Sequence, residues 1–195
     1  MRKKTVGLRD RACSKASDFV FQLGVSGWSM DDLATEIGVT KRTLYKFVSS
    51  KENVVEQVVI RFIQSVQDRI ADCIASEPDY YAAMMKVIEI FPLLLDRLTS
   101  RTMQEIFLEY PNIEREVYNR REELTDRLID FFRSGIEKGY LKSNLQPELV
   151  LQMYQAFVLY FIRFAPSDGD DHPARIGKAF HSLLYGIVSE RAPRK

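Results

Sequence analysis

Ser29-Met30-Asp31-Asp32-Leu33-Ala34-Thr35-Glu36-Ile37-Gly38-Val39-Thr40-Lys41-Arg42-Thr43-Leu44-Tyr45-Lys46-Phe47-Val48-Ser49-Ser50-Lys51 reads as two short helices joined by a tight turn. Ser29 places a hydroxyl at a helix N-cap with Asp32 three residues on, a capping-box pattern, and Asp31 and Asp32 put negative charge where the helix dipole favours it. Gly38 stops this helix, and Thr40 can cap a second from Lys41 to Val48. Leu44, with Phe47 or Val48, would pack back on Leu33 and Ile37, and Ala34 is small where the two helices must cross. Lys41, Arg42, Thr43, Tyr45 and Lys46 are then left around the outside. Arg and Lys can read guanine in a major groove, Thr and Tyr hydroxyls can bond phosphate oxygens, and a helix N-terminus attracts phosphate through its free N–H groups. Spacing alone leaves two readings open, a helix-turn-helix facing duplex DNA or a helical hairpin with a solvated basic face.

Working outward, Leu8, Ala12, Ala16, Phe19, Val20 and Leu23 follow the rhythm of an amphipathic helix, which Gly24 closes. On the other side, Ser49 with Glu52 forms a second capping-box pattern, and nothing breaks the helix from about Ser50 to Ser76, roughly 40 Å of rod at 1.5 Å per residue. Further helices are expected from Asp79 to Leu98, Arg101 to Tyr110, Asn112 to Lys138, Pro147 to Phe164 and Pro173 to Glu190. Pro92, inside the first of these, should leave the Ile88 carbonyl without its usual partner and kink the helix. Strand alternation, internal repeats and low-complexity tracts are absent from the sequence. The expected fold is all-α, with a three-helix domain over residues 1–50 joined by the long helix to a larger helical domain over residues 51–195.

Composition sets the outer limits. Of 195 residues, 46% are hydrophobic and 28% charged, the mix of an ordinary globular chain rather than a disordered or fibrous one. The net charge of +1 hides an asymmetry: residues 1–51 carry ten Lys/Arg against five Asp/Glu, while the remainder carries 18 against 22. A basic end on a mildly acidic body suits an anionic partner at that end, nucleic acid being the commonest, although many basic segments are merely solvated. Leu149 to Ile162 is the longest uncharged stretch, 14 residues, against the roughly 20 needed to span a bilayer. The start, MRKKTVGLRDR, lacks the apolar run of a secretory signal, so a cytoplasmic location is expected. Cys13 and Cys73 are far apart and read as buried thiols, and His172 and His181 fit no common zinc spacing, so no metal or cofactor is expected. Nor does the chain carry a Gly-rich phosphate loop, a GxSxG elbow or an HExxH pair, which argues against an enzyme.

The run Ser29-Met30-(x)2-Leu33-Ala34-(x)2-Ile37-Gly38-Val39-Thr40-(x)2-Thr43-Leu44-Tyr45-Lys46-Phe47, followed by Ser50-Lys51-Glu52, closely resembles the N-terminal domain of the TetR family of bacterial transcriptional regulators, over roughly residues 9–57. The resemblance implies a homodimer, each subunit presenting a three-helix DNA-binding domain on a larger helical domain for ligand binding and dimerisation. It places Thr40, Lys41 and Arg42 where base-reading residues cluster, Thr43, Tyr45 and Lys46 at backbone-contact positions, and Lys51 at a phosphate-contacting lysine. Two positions depart from the pattern. Asp31 stands where some members carry a base-reading Arg and could only accept, for example from cytosine N4; Val48 replaces a frequent aromatic. The operator is therefore not inherited from a relative.

Beyond residue 76 the signals are coarser. Val150, Leu151, Met153, Tyr154, Phe157, Val158, Tyr160, Phe161 and Ile162 cover the whole circumference of a helix, which requires burial on more than one side. Val158 and Phe161, with Ile176, Phe180, Leu183, Leu184 and Ile187 on the last helix, are the expected dimer interface. Met84, Met85, Ile88, Phe91, Met103, Phe107, Tyr110, Phe157 and Tyr160 would form an adaptable apolar lining for a small, largely apolar ligand, or equally an ordinary core. The function expected is a regulator, a repressor rather than an activator, that binds a near-palindromic double-stranded DNA operator as a homodimer and is released by that ligand. One rival is an architectural or partner-controlled DNA-binding protein without an inducer; a helical enzyme is the other.

Overall fold

The structure, a computed structural model, describes residues 2–97, 100–120, 122–164 and 172–187, and for 2–6, 88, 91–97, 100, 122–123, 158, 161–163, 172–176, 180, 184 and 187 it describes the backbone alone. Ten helices account for nearly all of it: α1 (Arg2–Leu23), α2 (Met30–Glu36), α3 (Lys41–Leu44), α4 (Lys51–Ser76), α5 (Tyr80–Arg97), α6 (Ser100–Glu109), α7 (Pro111–Asn119), α8 (Glu122–Glu137), α9 (Pro147–Arg163) and α10 (His172–Ile187). No strand occurs among the described residues, so the expected all-α class holds. None of the described helices is long and apolar enough to cross a membrane.

Local chemistry sets the helix ends. Ser29 accepts from the Asp32 amide while the Asp32 carboxylate accepts from the Ser29 amide, closing the expected capping box. Gly38, at φ +73°, ends α2: its N–H donates to the Thr35 carbonyl and that of Val39 to Ala34, the pairing that a left-handed residue after a helix allows. Three expectations need correction. The cap of α4 is Ser50 rather than Ser49, because the Asn53 amide donates to Ser50 Oγ at 3.0 Å. The helix expected from Lys41 to Val48 stops at Leu44, and Lys46 and Phe47 bond three residues back, tightening into a turn. The single helix expected from Asn112 to Lys138 is two, α7 and α8, and at the break the Arg120 carbonyl accepts from Gln67 Nε2 at 3.1 Å. Helix α5 runs on through Pro92. Residues 188–190, the end of the last expected helix, lie outside the described residues.

The chain divides into two compact units, Met1–Gln64 with Arg101–Tyr118, and Ser65–Ser100 with Asn119–Lys195. In the first, Ala12, Ala16 and Val20 of α1, Leu33 and Ala34 of α2, Leu44 and the Val54–Val55 pair of α4 are buried, whereas Leu23, expected on the apolar face, is half exposed. Leu33 and Leu44 are fully covered, each stabilising the unit by about 1.5–3 kcal/mol. Arg11 of α1 donates to the carbonyl of Ile37 at the end of α2 (2.9 Å), and Arg61 of α4 pairs with Asp10 of α1 (2.7 Å).

In the second unit Tyr80, Ala83, Met84, Phe131, Leu141 and Val150 form the core. Tyr80 lies between Phe131 (ring centroids 4.5 Å) and Tyr140 (4.9 Å), both nearly parallel to it. Helix α10 packs on α5, and α9 on α8. A cleft of about 480 Å³ opens among the C-terminal turns of α4, the start of α5 and α8; Ala71, Ile74, Ala83 and Phe131 line it together with Arg127 and Lys138.

Candidate nucleic-acid interface

In the first unit α2, the turn at Gly38 and α3 form a helix-turn-helix whose inner face is closed by Leu33, Ala34, Ile37, Leu44 and Val48, all buried. Val48, the substitution at an often aromatic position, is therefore a core residue. Closure on that side turns the polar residues out: Thr40, Lys41, Arg42, Tyr45 and Lys46 are exposed and Thr43 is half-buried. Thr40 is the N-cap of α3; its Oγ1 accepts from the Thr43 amide (3.2 Å) and shares a hydrogen bond with Thr43 Oγ1 (2.9 Å). These two hydroxyls thereby hold each other in place at the start of the helix.

Lys41 projects from the first turn of α3 and its ammonium donates to Asp31 on α2 at 2.7 Å. That hydrogen bond, with the carboxylate charge behind it, raises the Lys41 pKa above its ordinary value. Sequence spacing does not reveal this pair, because the partners are ten residues apart and meet only once the two helices cross. Asp32, the neighbour of Asp31, is occupied with capping, and the hydrogen bonds from Ser29 hold its carboxyl below the usual range.

Lys51 turns inward. Its ammonium donates to the carbonyls of Val25 (2.6 Å) and Trp28 (2.5 Å) and lies 4.5 Å from the centroid of the Trp28 ring. Burial lowers its pKa, partly opposed by the charges of Glu109 and Asp32. Its ammonium therefore ties the start of α4 to the segment between α1 and α2, a structural role that the local pattern around Ser50-Lys51-Glu52 does not announce.

The residues expected to line a ligand pocket are divided between the units. Met103, Phe107 and Tyr110 belong to the first; Met84, Met85, Ile88, Phe91, Phe157 and Tyr160 belong to the second. Met84 is a core residue, Met85 and Phe157 pack against that core, and Tyr160 is half exposed. The side chains of Ile88 and Phe91 lie outside the described residues, and none of the nine residues lines the cleft beside Tyr80. Of the expected dimer residues, Leu183 is half-buried, and the side chains of Val158, Phe161, Ile176, Phe180, Leu184 and Ile187 lie outside the described residues. What α9 does present is an exposed apolar stripe, Leu149, Met153, Leu159, Tyr160 and Phe164, with Tyr185 exposed on α10. Among the described residues no His, Cys, Asp and Glu cluster could hold a metal ion.

No protein-family model matches the chain. It is similar to the HTH-type transcriptional repressor KstR2 of Mycolicibacterium smegmatis, 19% identical across 93% of this chain and 91% of that protein. A second relative is an uncharacterised HTH-type transcriptional regulator of Bacillus subtilis, YvaF, 37% identical over 67 residues, 34% of this chain and 35% of YvaF. Among solved structures, a TetR-family transcriptional regulator from Agrobacterium tumefaciens superimposes with a TM-score of 0.74 at 19% identity, covering 95% of this chain and all of that one. Its helical architecture and these likenesses together show that the chain has the fold of TetR-family transcriptional regulators.

Proposed function

We propose that this protein is a sequence-specific DNA-binding transcriptional regulator, a repressor that occupies a near-palindromic operator as a homodimer and leaves it when a small molecule binds the helical body. The observation that carries the reading is the outward face of the helix-turn-helix, where Thr40, Lys41, Arg42, Tyr45 and Lys46 are exposed around a helix whose opposite side is fully packed. Arg42 can make bidentate contact with guanine, and Lys46 and Tyr45 offer donors to phosphate. Arg42→Ala is expected to change sequence preference at one or two positions, whereas Lys46→Ala weakens all duplexes alike and reduces the slope of log affinity against log salt by about 0.9. Binding titrations on matched and mismatched duplexes at several salt concentrations check both; equal weakening on every duplex by both variants would refute the division of roles.

Two-fold symmetry is supported by the exposed stripe on α9. Five large apolar side chains along one helix, with Tyr185 on α10, are more than a monomer ordinarily leaves in water, and a second copy of the same face would cover them. Met153→Glu with Tyr160→Glu is expected to halve the mass in sedimentation equilibrium, and an unchanged mass would exclude this face as the interface. A dimeric reader must set two α3 helices about 34–36 Å apart. A ligand that favours another spacing releases the DNA, and one with equal affinity for both spacings shifts nothing. The cleft beside Tyr80 supports such a ligand, its size falling in the usual range for small-molecule sites. Compound-dependent release of DNA separates this reading from an architectural or partner-controlled protein.

A further inference from the structure

The Asp31–Lys41 pair sits on the face proposed to meet DNA, and its role there rests on that reading. Asp31 is in the first turn of α2 and Lys41 is the first residue of α3; their side chains are 62% and 53% exposed. Two observations separate this carboxylate from ordinary helix capping. Asp32, not Asp31, closes the box with Ser29, and the Thr35 hydroxyl bonds the Asp31 backbone carbonyl, leaving the Asp31 side chain to Lys41. An exposed ion pair of this kind contributes little to folding. Its consequence is for the partner: an ammonium engaged by a carboxylate is not available to neutralise a phosphate, and the carboxylate itself repels the backbone.

A carboxylate at a major-groove face can only accept, and among base edges cytosine N4 offers a donor to it. We propose that Asp31 is a specificity-determining residue that withholds Lys41 from nonspecific DNA and releases it where a cytosine amino group meets the carboxylate. On a random duplex the pair stays closed and Lys41 adds nothing to affinity. On the right half-site the base takes over Asp31, and Lys41 turns to a guanine edge or a phosphate. The outcome is selectivity by exclusion, with an acid inside an otherwise basic face suppressing binding at wrong sites.

The test uses the full chain with Asp31→Asn, Lys41→Ala and both together, measured by fluorescence anisotropy on a random-sequence duplex over a salt series and by selection from a random DNA pool. Asp31→Asn is expected to bind the random duplex about fivefold more tightly, to steepen the log–log salt slope by about 0.9, and to lose base preference at one position in each half-site. In the Lys41→Ala background the same substitution leaves the slope unchanged. An unaltered slope and an equally sharp motif in Asp31→Asn overturn the proposal while the DNA-binding reading stands. A slope that steepens as much without Lys41 also overturns it, because Asp31 would then act by its bare charge. Failure of the unsubstituted protein to bind any duplex overturns the underlying reading and this inference with it. Unchanged thermal melting of each variant verifies that folding is not what the binding reports.

Discussion

Gly135→Ala is expected to lower the melting temperature by roughly 10 °C, the largest effect of any single methyl group on the second unit. Gly135 lies within α8 against the edge of Tyr80, and a Cβ there would overlap the Tyr80 hydroxyl and Cζ and stand 2.8 Å from Cε1. Tyr80 cannot swing aside, because Phe131 and Tyr140 hold both faces of its ring. The added carbon must push α8 away from the start of α5, an overpacking cost of about 3 kcal/mol, which at about 2–4 °C per kcal/mol for a chain of this size gives the expected shift. Tyr80→Phe in the same background should restore little, since the ring carbon still collides; Tyr80→Leu should restore more by removing the aromatic edge. On its own, Tyr80→Phe is expected to stabilise slightly, because the Tyr80 hydroxyl is buried with no partner among the described residues. Calorimetric melting of the four variants checks the set, and a Gly135→Ala protein that melts like the parent would show that α8 yields at no cost.

Lys51→Met is expected to cost about 2 kcal/mol of stability and to weaken DNA binding through the fold rather than through a lost phosphate contact. Methionine keeps the apolar stem but strips the two charge-assisted hydrogen bonds to Val25 and Trp28 and the contact with the Trp28 ring. Each such bond is worth about 1.5–3 kcal/mol where fully desolvated; the sum is smaller here because Lys51 is only half-buried and its burial already penalises the charge. The contrast with Lys46→Ala decides the matter. Lys46 is exposed, so its loss should weaken binding and leave melting unchanged, whereas Lys51→Met should lower both. A Lys51→Met protein with parental melting and reduced affinity would restore the lysine to the DNA face.

Much of the first unit is legible in the sequence because its determinants are local. A hydroxyl followed three residues later by an acid marks the start of α2, a glycine at positive φ marks its end, and Thr40 caps α3 as its position suggests. The same local rules miss by one residue at Ser49, where two consecutive serines offer the same chemistry and only the backbone chooses Ser50. They fail altogether where a distant side chain decides. The Arg120 carbonyl at the break between α7 and α8 is taken by Gln67, more than fifty residues earlier, and nothing between Asn112 and Lys138 in the sequence forecasts it. Lys51 and Asp31 are hard to read for the same cause. A lysine among exposed basic residues looks like a phosphate contact until the carbonyls of Val25 and Trp28 are in reach, and an acid on a basic face looks like a departure until Lys41 lies 2.7 Å away. In the second unit hydrophobic periodicity locates the helices, but periodicity does not say which apolar face meets the core. Met84 and Phe157 join the core cluster, while Tyr160 stays half exposed beside Met153 and Phe164.

If the helix-turn-helix reads sequence as half of a two-fold symmetric dimer, selection of bound duplexes from a random pool at two salt concentrations should recover, at both, an inverted repeat with half-sites one or more helical turns apart. Retention of DNA without any enriched motif, lost at the higher salt, would refute the dimeric reader and leave only nonspecific attraction by the basic N-terminal residues.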